Sequence, residues 1–476
     1  MTELDGRGWG GPARMSPAEA LMWRAEGDLR TRSSGALVEL LDTAPDWDRF
    51  LAAHERATRA IPRLRERVVE PLLPVVEPTW TEDTHFDLNY HVQRIRLPEP
   101  GTLRQLLDLA GQVTSRPLDP NRPQWEAILV EGLEDGRAGY LLKIHHAMSD
   151  GLGMVQLLGM AHSERAAPGG AHLPAMAAAP GGSPTRLTGV TPLSLVADRL
   201  LEGISDGPAR LVGAAGQALG LLGRALRDPA GTVERAVDYS LSLRRMLTPP
   251  AAQRSPLLRG GGFGYRLTVH DVLLDELKKA GKAAGGSVND AFLAGVLGAF
   301  RRYHEHFGQQ VDHMPMAIPI SLRDSSDPMG GNRFAGARFV APLGEPDPAA
   351  RIQLVREFIL NVRAEPAIAF LDLLTPVLSK LPSPVLTELT AELTKVSDVQ
   401  ASNIPGLGHP VYLAGAKVLR MYPIGPRPGV TAMVTMVSYD GTCCIGVNFD
   451  PEAITDLELF ESCLRDGFDE VLALGR

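Results

Sequence analysis

Two adjacent histidines open the strongest chemical signal in this sequence, the run His145-His146-Ala147-Met148-Ser149-Asp150-Gly151. An alcohol is a poor nucleophile at neutral pH, and a base with a pKa of about 6.5 is close to the best a side chain can offer it. In such a run His146 can take the proton of a hydroxyl while the oxygen attacks an acyl thioester. Asp150 stands where a helix would begin and can fix the loop, and Gly151 permits a tight backbone there. A bare His-x-x-x-Asp says little. The doubled form followed by Asp-Gly arises by chance in roughly two of every thousand chains of this size. The competing reading is a polar turn with Asp150 as a helix N-cap.

The surrounding pattern places the pair at a strand-to-helix junction. Residues 127–133 and 140–144 are apolar and flank Asp135-Gly136, a hairpin signal. In a regular second strand Tyr140, Leu142, Ile144 and His146 share one face, and Lys143 and His145 the other. After Gly151 the spacing of Met154, Leu157, Leu158 and Ala161 is helical. Junctions of this kind put side chains at a sheet edge, where clefts form. Upstream, Ser16-Pro17-Ala18-Glu19 has the form of a capping box with proline in the first turn.

The chain divides by composition. Residues 165–190 are rich in Ala, Gly and Pro and read as a linker. Residues 191–247 read as amphipathic helices in which Arg224, Arg227, Arg235, Arg244 and Arg245 accompany apolar positions. That face can be simply solvated or can meet anionic lipid. A second compact half begins near Tyr265. In it Ser287-Val288-Asn289-Asp290 opens a helix with Leu293, Val296, Leu297 and Phe300 on one face, and Asp440-Gly441 marks a hairpin. The expected organisation is residues 1–180, a joining segment 181–254, and residues 255–476.

With 476 residues, the chain is long enough for two cores. Its net charge of −8, from 48 basic and 56 acidic residues, argues against a nucleic-acid surface. There is no signal-like N-terminus and no apolar run long enough to span a bilayer. Cys443, Cys444 and Cys463 fit neither a zinc site nor a disulfide framework, so a reduced, cytoplasmic setting is expected. Gly203-Ile204-Ser205-Asp206-Gly207 matches a hydrolase elbow in letters but follows a helical pattern where a strand is needed. Gly260-Gly261-Gly262-Phe263-Gly264 lacks the setting of a nucleotide loop. Neighbouring side chains on an extended strand point apart, so His145 and His146 are not read as metal ligands.

Further landmarks run in order through the chain. They include Trp80, 85–92 (HFDLNYHV), Pro117-Leu118-Asp119, 122–126 (RPQWE), Val288-Asn289-Asp290, 319–323 (PISLR), Gly331-Asn332, 402–406 (SNIPG) and 438–441 (SYDG). With the double-His run, they make nearly the whole chain resemble the bacterial wax ester synthase/diacylglycerol acyltransferase family. Two departures stand out: Pro123-Gln124-Trp125 where the family often has Pro-Leu-Trp, and Ser255-Pro256-Leu257-Leu258 where Thr-Pro-x-Asn is expected.

The resemblance implies an α/β fold of two chloramphenicol-acetyltransferase-like halves, joined by a helical crossover, with the active-site channel between them. It implies transfer of a long-chain acyl group from acyl-CoA, as co-substrate and with no cofactor, to diacylglycerol or a long-chain alcohol. It also implies peripheral attachment to a membrane or lipid-droplet surface. For the residues it implies His146 as base, His145 as its support and Asp150 as a structural carboxylate facing a basic partner, for which Arg323 is a candidate. Asn289 would come from the second half to position His146 or the oxyanion, while Asp290 caps its helix. Trp125, Pro117 and Arg323 fall on the substrate side. Two rivals share the motif or the fold: a carrier-protein-dependent condensation domain, and a lipid-binding homologue without activity.

Overall fold

The computed structural model describes residues 9–166, 187–199, 252–259, 261–321, 332, 334–363, 378–394 and 396–476. Much of the expected joining segment, the decoy around Ser205, and Arg323 therefore lie outside the described residues. Along the first half run α1 (Pro17–Ala25), β1 (Ser34–Leu41), α2 (Trp47–Ala60), β2 (Glu66–Val69), β3 (Thr79–Glu82) and β4 (Val92–Arg96). Then come α3 (Leu103–Ser115), β5 (Trp125–Glu131), β6 (Ala138–His145) and α4 (Gly151–Ala161). The second half has β7 (Arg266–Leu273), α5 (Leu274–Ala283), α6 (Val288–His306), β8 (Met314–Ser321), β9 (Phe334–Ala341) and α7 (Pro348–Arg363). It continues with α8 (Ser383–Thr394), β10 (Val399–Ile404), β11 (Tyr412–Leu413), β12 (Ala416–Ile424), β13 (Ala432–Tyr439), β14 (Thr442–Phe449) and α9 (Leu457–Leu472).

Local chemistry accounts for the boundaries. The Ser16 hydroxyl accepts the Glu19 N–H and the Glu19 carboxylate accepts the Ser16 N–H, so the box that starts α1 is complete. The same exchange between Ser287 and Asp290 starts α6. Both hairpin turns need left-handed backbone at consecutive residues. Asp135 and Gly136 supply φ of 59° and 70°, and Asp440 and Gly441 supply 42° and 80°. One expectation changes. The helix α6 is buried from Asp290 to Phe300 on nearly every side, so it is a central helix where an amphipathic one was expected.

Each half is built on a mixed six-stranded sheet with its own apolar core. The first sheet has the order β11-β12-β1-β6-β5-β4 and the second β7-β14-β13-β10-β8-β9. Sheet membership departs from the expected division at one place. The strands β11 and β12 belong to the second half of the chain but complete the first sheet, with β12 antiparallel to β1 from Ala36↔Ile424 to Leu41↔Val418. Their residues Leu413, Ala416, Val418, Met421, Tyr422 and Ile424 are buried in the first core. The chain then returns to the second sheet through β13.

Two residues fasten this exchange. The Tyr439 hydroxyl on β13 donates to the Val418 carbonyl on β12 at 2.9 Å and accepts the Val411 N–H at 2.9 Å. Gly446 on β14 leaves room for the Pro423 carbonyl, which any Cβ at that position would strike. Tyr439→Phe should therefore lower stability by about 1–3 kcal/mol, since it strands a buried N–H and a buried carbonyl together. Denaturant unfolding of the variant against the parent checks this, and a change below about 0.5 kcal/mol would show that the hydroxyl does not hold the crossover.

Candidate active site

The double-His run leaves β6 at its end. The ladder pairs Ser34 with His145, and the next residue, His146, still donates its N–H to the Ser33 carbonyl at 2.9 Å. The chain then turns, with Met148 N–H on His145 O and Ser149 N–H on His146 O. The helix α4 begins at once, capped by Asp150, whose Oδ1 accepts the Gly153 N–H at 2.9 Å. Gly151 does not adopt the left-handed backbone expected of a strained turn. A Cβ on it would meet the Ile404 side chain of β10, so the glycine lets the second sheet approach the start of α4.

The two imidazoles face different surroundings. His145 is fully buried. Its Nδ1 accepts the Ala147 N–H at 3.0 Å, so Nε2 carries the proton and donates it to Glu26 at 3.2 Å. Trp23 meets the ring edge-on at 5.7 Å. Glu26 also accepts the Ser33 N–H at 2.6 Å. Burial would raise the Glu26 carboxyl, but the hydrogen bond from His145, with the Ser33 and Ser34 donors, outweighs it and holds the group below its ordinary value.

His146 is held from the other half of the molecule. Its Nδ1 lies 3.0 Å from Asn332 Oδ1, and Asn332 Nδ2 donates to the His146 carbonyl at 2.8 Å. The second bond fixes which way the amide points, so Nδ1 is the donor and the lone pair sits on Nε2. Burial pushes the His146 pKa below the ordinary imidazole value, against the opposing pull of the Asp150 charge and the Asn332 bond. The imidazole is thereby kept unprotonated and oriented, which is what a base for an alcohol requires.

The remaining expected residues make other contacts. Asn289 lies half-buried in the first turn of α6, beside the capping Asp290, and the second-half amide on His146 is Asn332 instead. Trp125 is 2% exposed, donates its indole N–H to the Leu64 carbonyl at 2.8 Å and stacks on His91. It therefore braces the wall behind the motif. With His54, Tyr140 and His162 it lines a cavity of about 30 Å³, room for about one water and far too small for an acyl chain. Pro117 is exposed just beyond α3. The departure at Gln124 is absorbed locally, because its amide donates to the Asp119 and Arg122 carbonyls at 2.7 and 2.6 Å. Sequence reasoning missed Asn332 as a site residue, although Gly331-Asn332 stood among the ordered landmarks, and it had no signal for Glu26. The thiols are poor rivals as nucleophiles, because burial pushes Cys443 and Cys444 up to about 11 and 12.

Comparison with known proteins decides the family. The profile of the wax ester synthase/diacylglycerol acyltransferase catalytic domain matches residues 15–292, and that of the family's C-terminal domain matches residues 330–471. The chain belongs to this family. It is accordingly an O-acyltransferase. A Mycobacterium tuberculosis (strain H37Rv) protein that carries the name diacylglycerol O-acyltransferase is 43% identical over 464 residues, spanning 97% of this chain and 92% of the relative. A second such protein, from strain CDC 1551, is 25% identical over 453 residues, spanning 93% and 91%. The wax ester synthase/diacylglycerol acyltransferase of Marinobacter aquaeolei VT8 shares the fold, with a TM-score of 0.64 at 20% identity over 98% of this chain and all of the other. The first condensation domain of the CDA synthetase matches with a TM-score of 0.56 at 15% identity, over 97% and 96%. Both structural likenesses show the fold alone.

A pH profile tests the state of His146. The base works unprotonated, so the rate should be lost as pH falls through its pKa, and burial places that pKa below the ordinary value of about 6.5. The acid limb of kcat/KM should therefore be centred below about 6.5. A limb centred above about 7 would contradict the environment described.

Proposed function

We propose that the protein transfers a long-chain acyl group from a CoA thioester to the hydroxyl of diacylglycerol or of a long-chain alcohol, with His146 as the general base. The observation that carries this reading is the reciprocal bond between His146 and Asn332, which turns an imidazole at the junction of two halves into an oriented acceptor of protons. Nε2 takes the hydroxyl proton as the oxygen attacks the thioester carbonyl. The tetrahedral oxyanion collapses, the C–S bond breaks, and the thiolate leaves and takes the proton back from His146. The products are an ester and free CoA thiol, with no covalent enzyme intermediate. His145 supports the turn through Glu26, and Asp150 starts α4 while its charge favours the imidazolium that forms. Holding both substrates in place contributes through proximity, on the order of 7–11 kcal/mol at best.

The experiment supplies palmitoyl-CoA with either hexadecanol or dioleoylglycerol and follows thiol release. Acceptor-dependent release is expected with at least one of the two. His146→Ala should lower turnover about 10²–10⁴-fold while circular dichroism stays native. A variant that keeps more than half of parental turnover would remove His146 from the base role. Release that needs an amine acceptor or a carrier-bound acyl group would favour the condensation-like reaction instead.

The reading extends to where the reaction occurs. Its acceptor and product are poorly soluble lipids, and among the described residues no helix is long and apolar enough to cross a membrane. We place the enzyme peripherally on a lipid surface. The arginine-bearing region expected to serve lies largely outside the described residues. The described surface contributes Leu72, Leu73 and Val75, which are 65%, 49% and 53% exposed on the loop between β2 and β3. Flotation with phosphatidylcholine vesicles, with and without anionic lipid, should carry the protein upward, and Leu72→Gln with Leu73→Gln should weaken it. Absence of flotation with either vesicle would end this placement.

A further inference from the structure

The two peptide groups that flank the Cα of His146 are both held by neighbours. The His146 N–H donates to the Ser33 carbonyl at 2.9 Å, and the Ala147 N–H donates to His145 Nδ1 at 3.0 Å. Each peptide group is a rigid plane, and φ and ψ are the rotations of the two planes about the Cα between them. Whatever holds both planes therefore fixes the direction in which the imidazole leaves the backbone.

Both holders lead back to one oxygen atom. Glu26 Oε2 accepts the Ser33 N–H at 2.6 Å and the His145 Nε2–H at 3.2 Å. Ser33 is thus gripped at its N–H and grips His146 with its carbonyl. The His145 ring is gripped at Nε2 and grips Ala147 with Nδ1. The second oxygen of Glu26, Oε1, accepts the Ser34 hydroxyl at 3.3 Å and lies on neither path.

The helix that carries Glu26 does not ask for this side chain. Glu26 is the C-cap of α1, and its backbone N–H closes the helix on the Trp23 carbonyl at 3.3 Å. A carboxylate is the wrong charge for that end, where backbone carbonyls already gather negative charge. Its side chain is also only 15% exposed, beside a fully buried His145. Burial opposes its charge, and the three donors outweigh burial and keep the carboxyl ionised. Removing the oxygen would leave buried donors bare, since water has little access to replace it.

We propose that Glu26 is a positioning residue for the acyl transfer: through Ser33 on one side and His145 on the other, one carboxylate oxygen sets both peptide planes of His146 and so aims the base. The proposal rests on the assignment of His146 as the base. It gives the first histidine of the motif one of two parallel paths, the other being pure backbone. The Asn332 bond then fixes the tautomer of a ring whose direction is already set.

Kinetics of thiol release test it. Glu26→Met keeps the bulk of the side chain and removes its oxygens. Turnover should fall about 10- to 100-fold with KM for both substrates unchanged, because the residue acts through the base. Glu26→Gln can set its amide oxygen where Oε2 stands and turn its NH2 to the Ser34 oxygen, so it should keep turnover within about threefold of the parent. Ser34→Ala removes the bond to the other oxygen and should keep parental turnover. Added to His146→Ala, Glu26→Met should lower the residual rate no further, since there is no base left to aim.

Parental turnover in Glu26→Met would overturn the proposal. So would equal losses in Glu26→Gln and Glu26→Met, which would make the charge, and not the bonds, the contribution. A further loss on top of His146→Ala would show general damage and overturn it as well. If Glu26→Met does not fold, Glu26→Asp draws the oxygens back by about one bond, roughly 1.5 Å. It should show the same split of turnover from KM, and parental turnover in it would count equally against the proposal. An active His146→Ala removes the base assignment and this role together. An inactive His146→Ala with a parental Glu26→Met removes only the role of Glu26.

Discussion

The reciprocal bond between His146 and Asn332 is the constraint around which the molecule is arranged. One partner sits at the end of β6 in the first sheet, and the other sits ahead of β9 at the edge of the second. Neither half can make this reciprocal bond by itself. The first half supplies the imidazole and hangs its backbone on Ser33, and the second half decides which nitrogen carries the proton. A hydrogen bond of this kind contributes only about 1 kcal/mol to stability. Its weight lies in orientation, and orientation over such a distance in sequence demands that the two halves be docked rigidly.

The exchange of β11 and β12 meets that demand. If the halves met only through side chains, the interface would resemble that between ordinary domains, where relative motion is the default. Here a strand of the second half is hydrogen-bonded into the first sheet along β1, and its apolar residues are part of the first core. Tyr439 ties the strand that follows to the strand just laid down, and Gly446 lets the two sheets approach until a carbonyl of β12 lies where a side chain would stand. Gly151 does the same at the motif itself by admitting Ile404. At Gly446 the approach is of backbone to backbone, which tolerates little sliding.

What could be read in the sequence was whatever is decided locally. Ser16-Pro17-Ala18-Glu19 and Ser287-Val288-Asn289-Asp290 announce their caps because a capping box closes within four residues. Asp135-Gly136 and Asp440-Gly441 announce their turns because left-handed backbone selects few residue types. The motif announces its turn and cap because both histidines and the aspartate are adjacent to them. The crossover was hidden, since alternating apolar residues in β12 would suit either sheet and nothing in residues 416–424 says which one receives them. Asn332 was visible as a landmark without a role, because its partner lies far away in sequence. Trp125 misled in the opposite direction. A tryptophan in a family motif suggests a ligand, but its indole N–H is spent on the Leu64 carbonyl and its ring on His91.

The division of labour between the two histidines shows why residue type alone could not assign their roles. The side chains are the same and the positions adjacent, yet the proton sits on opposite nitrogens. At His145 the Ala147 N–H occupies Nδ1, which commits Nε2 to donate, and Glu26 receives it. That ring is thus a strut between the turn and the C-terminal end of α1. At His146 the Asn332 oxygen accepts the Nδ1 proton in a hydrogen bond. The lone pair passes to Nε2. The strand's alternation then completes the separation, since consecutive side chains leave an extended chain in opposite directions. One ring is sealed against α1 and Trp23, and the other is turned toward the second half of the molecule. The tautomer of each ring is therefore selected by the partner its Nδ1 meets, a backbone amide two residues away in one case and an amide from the opposite half in the other.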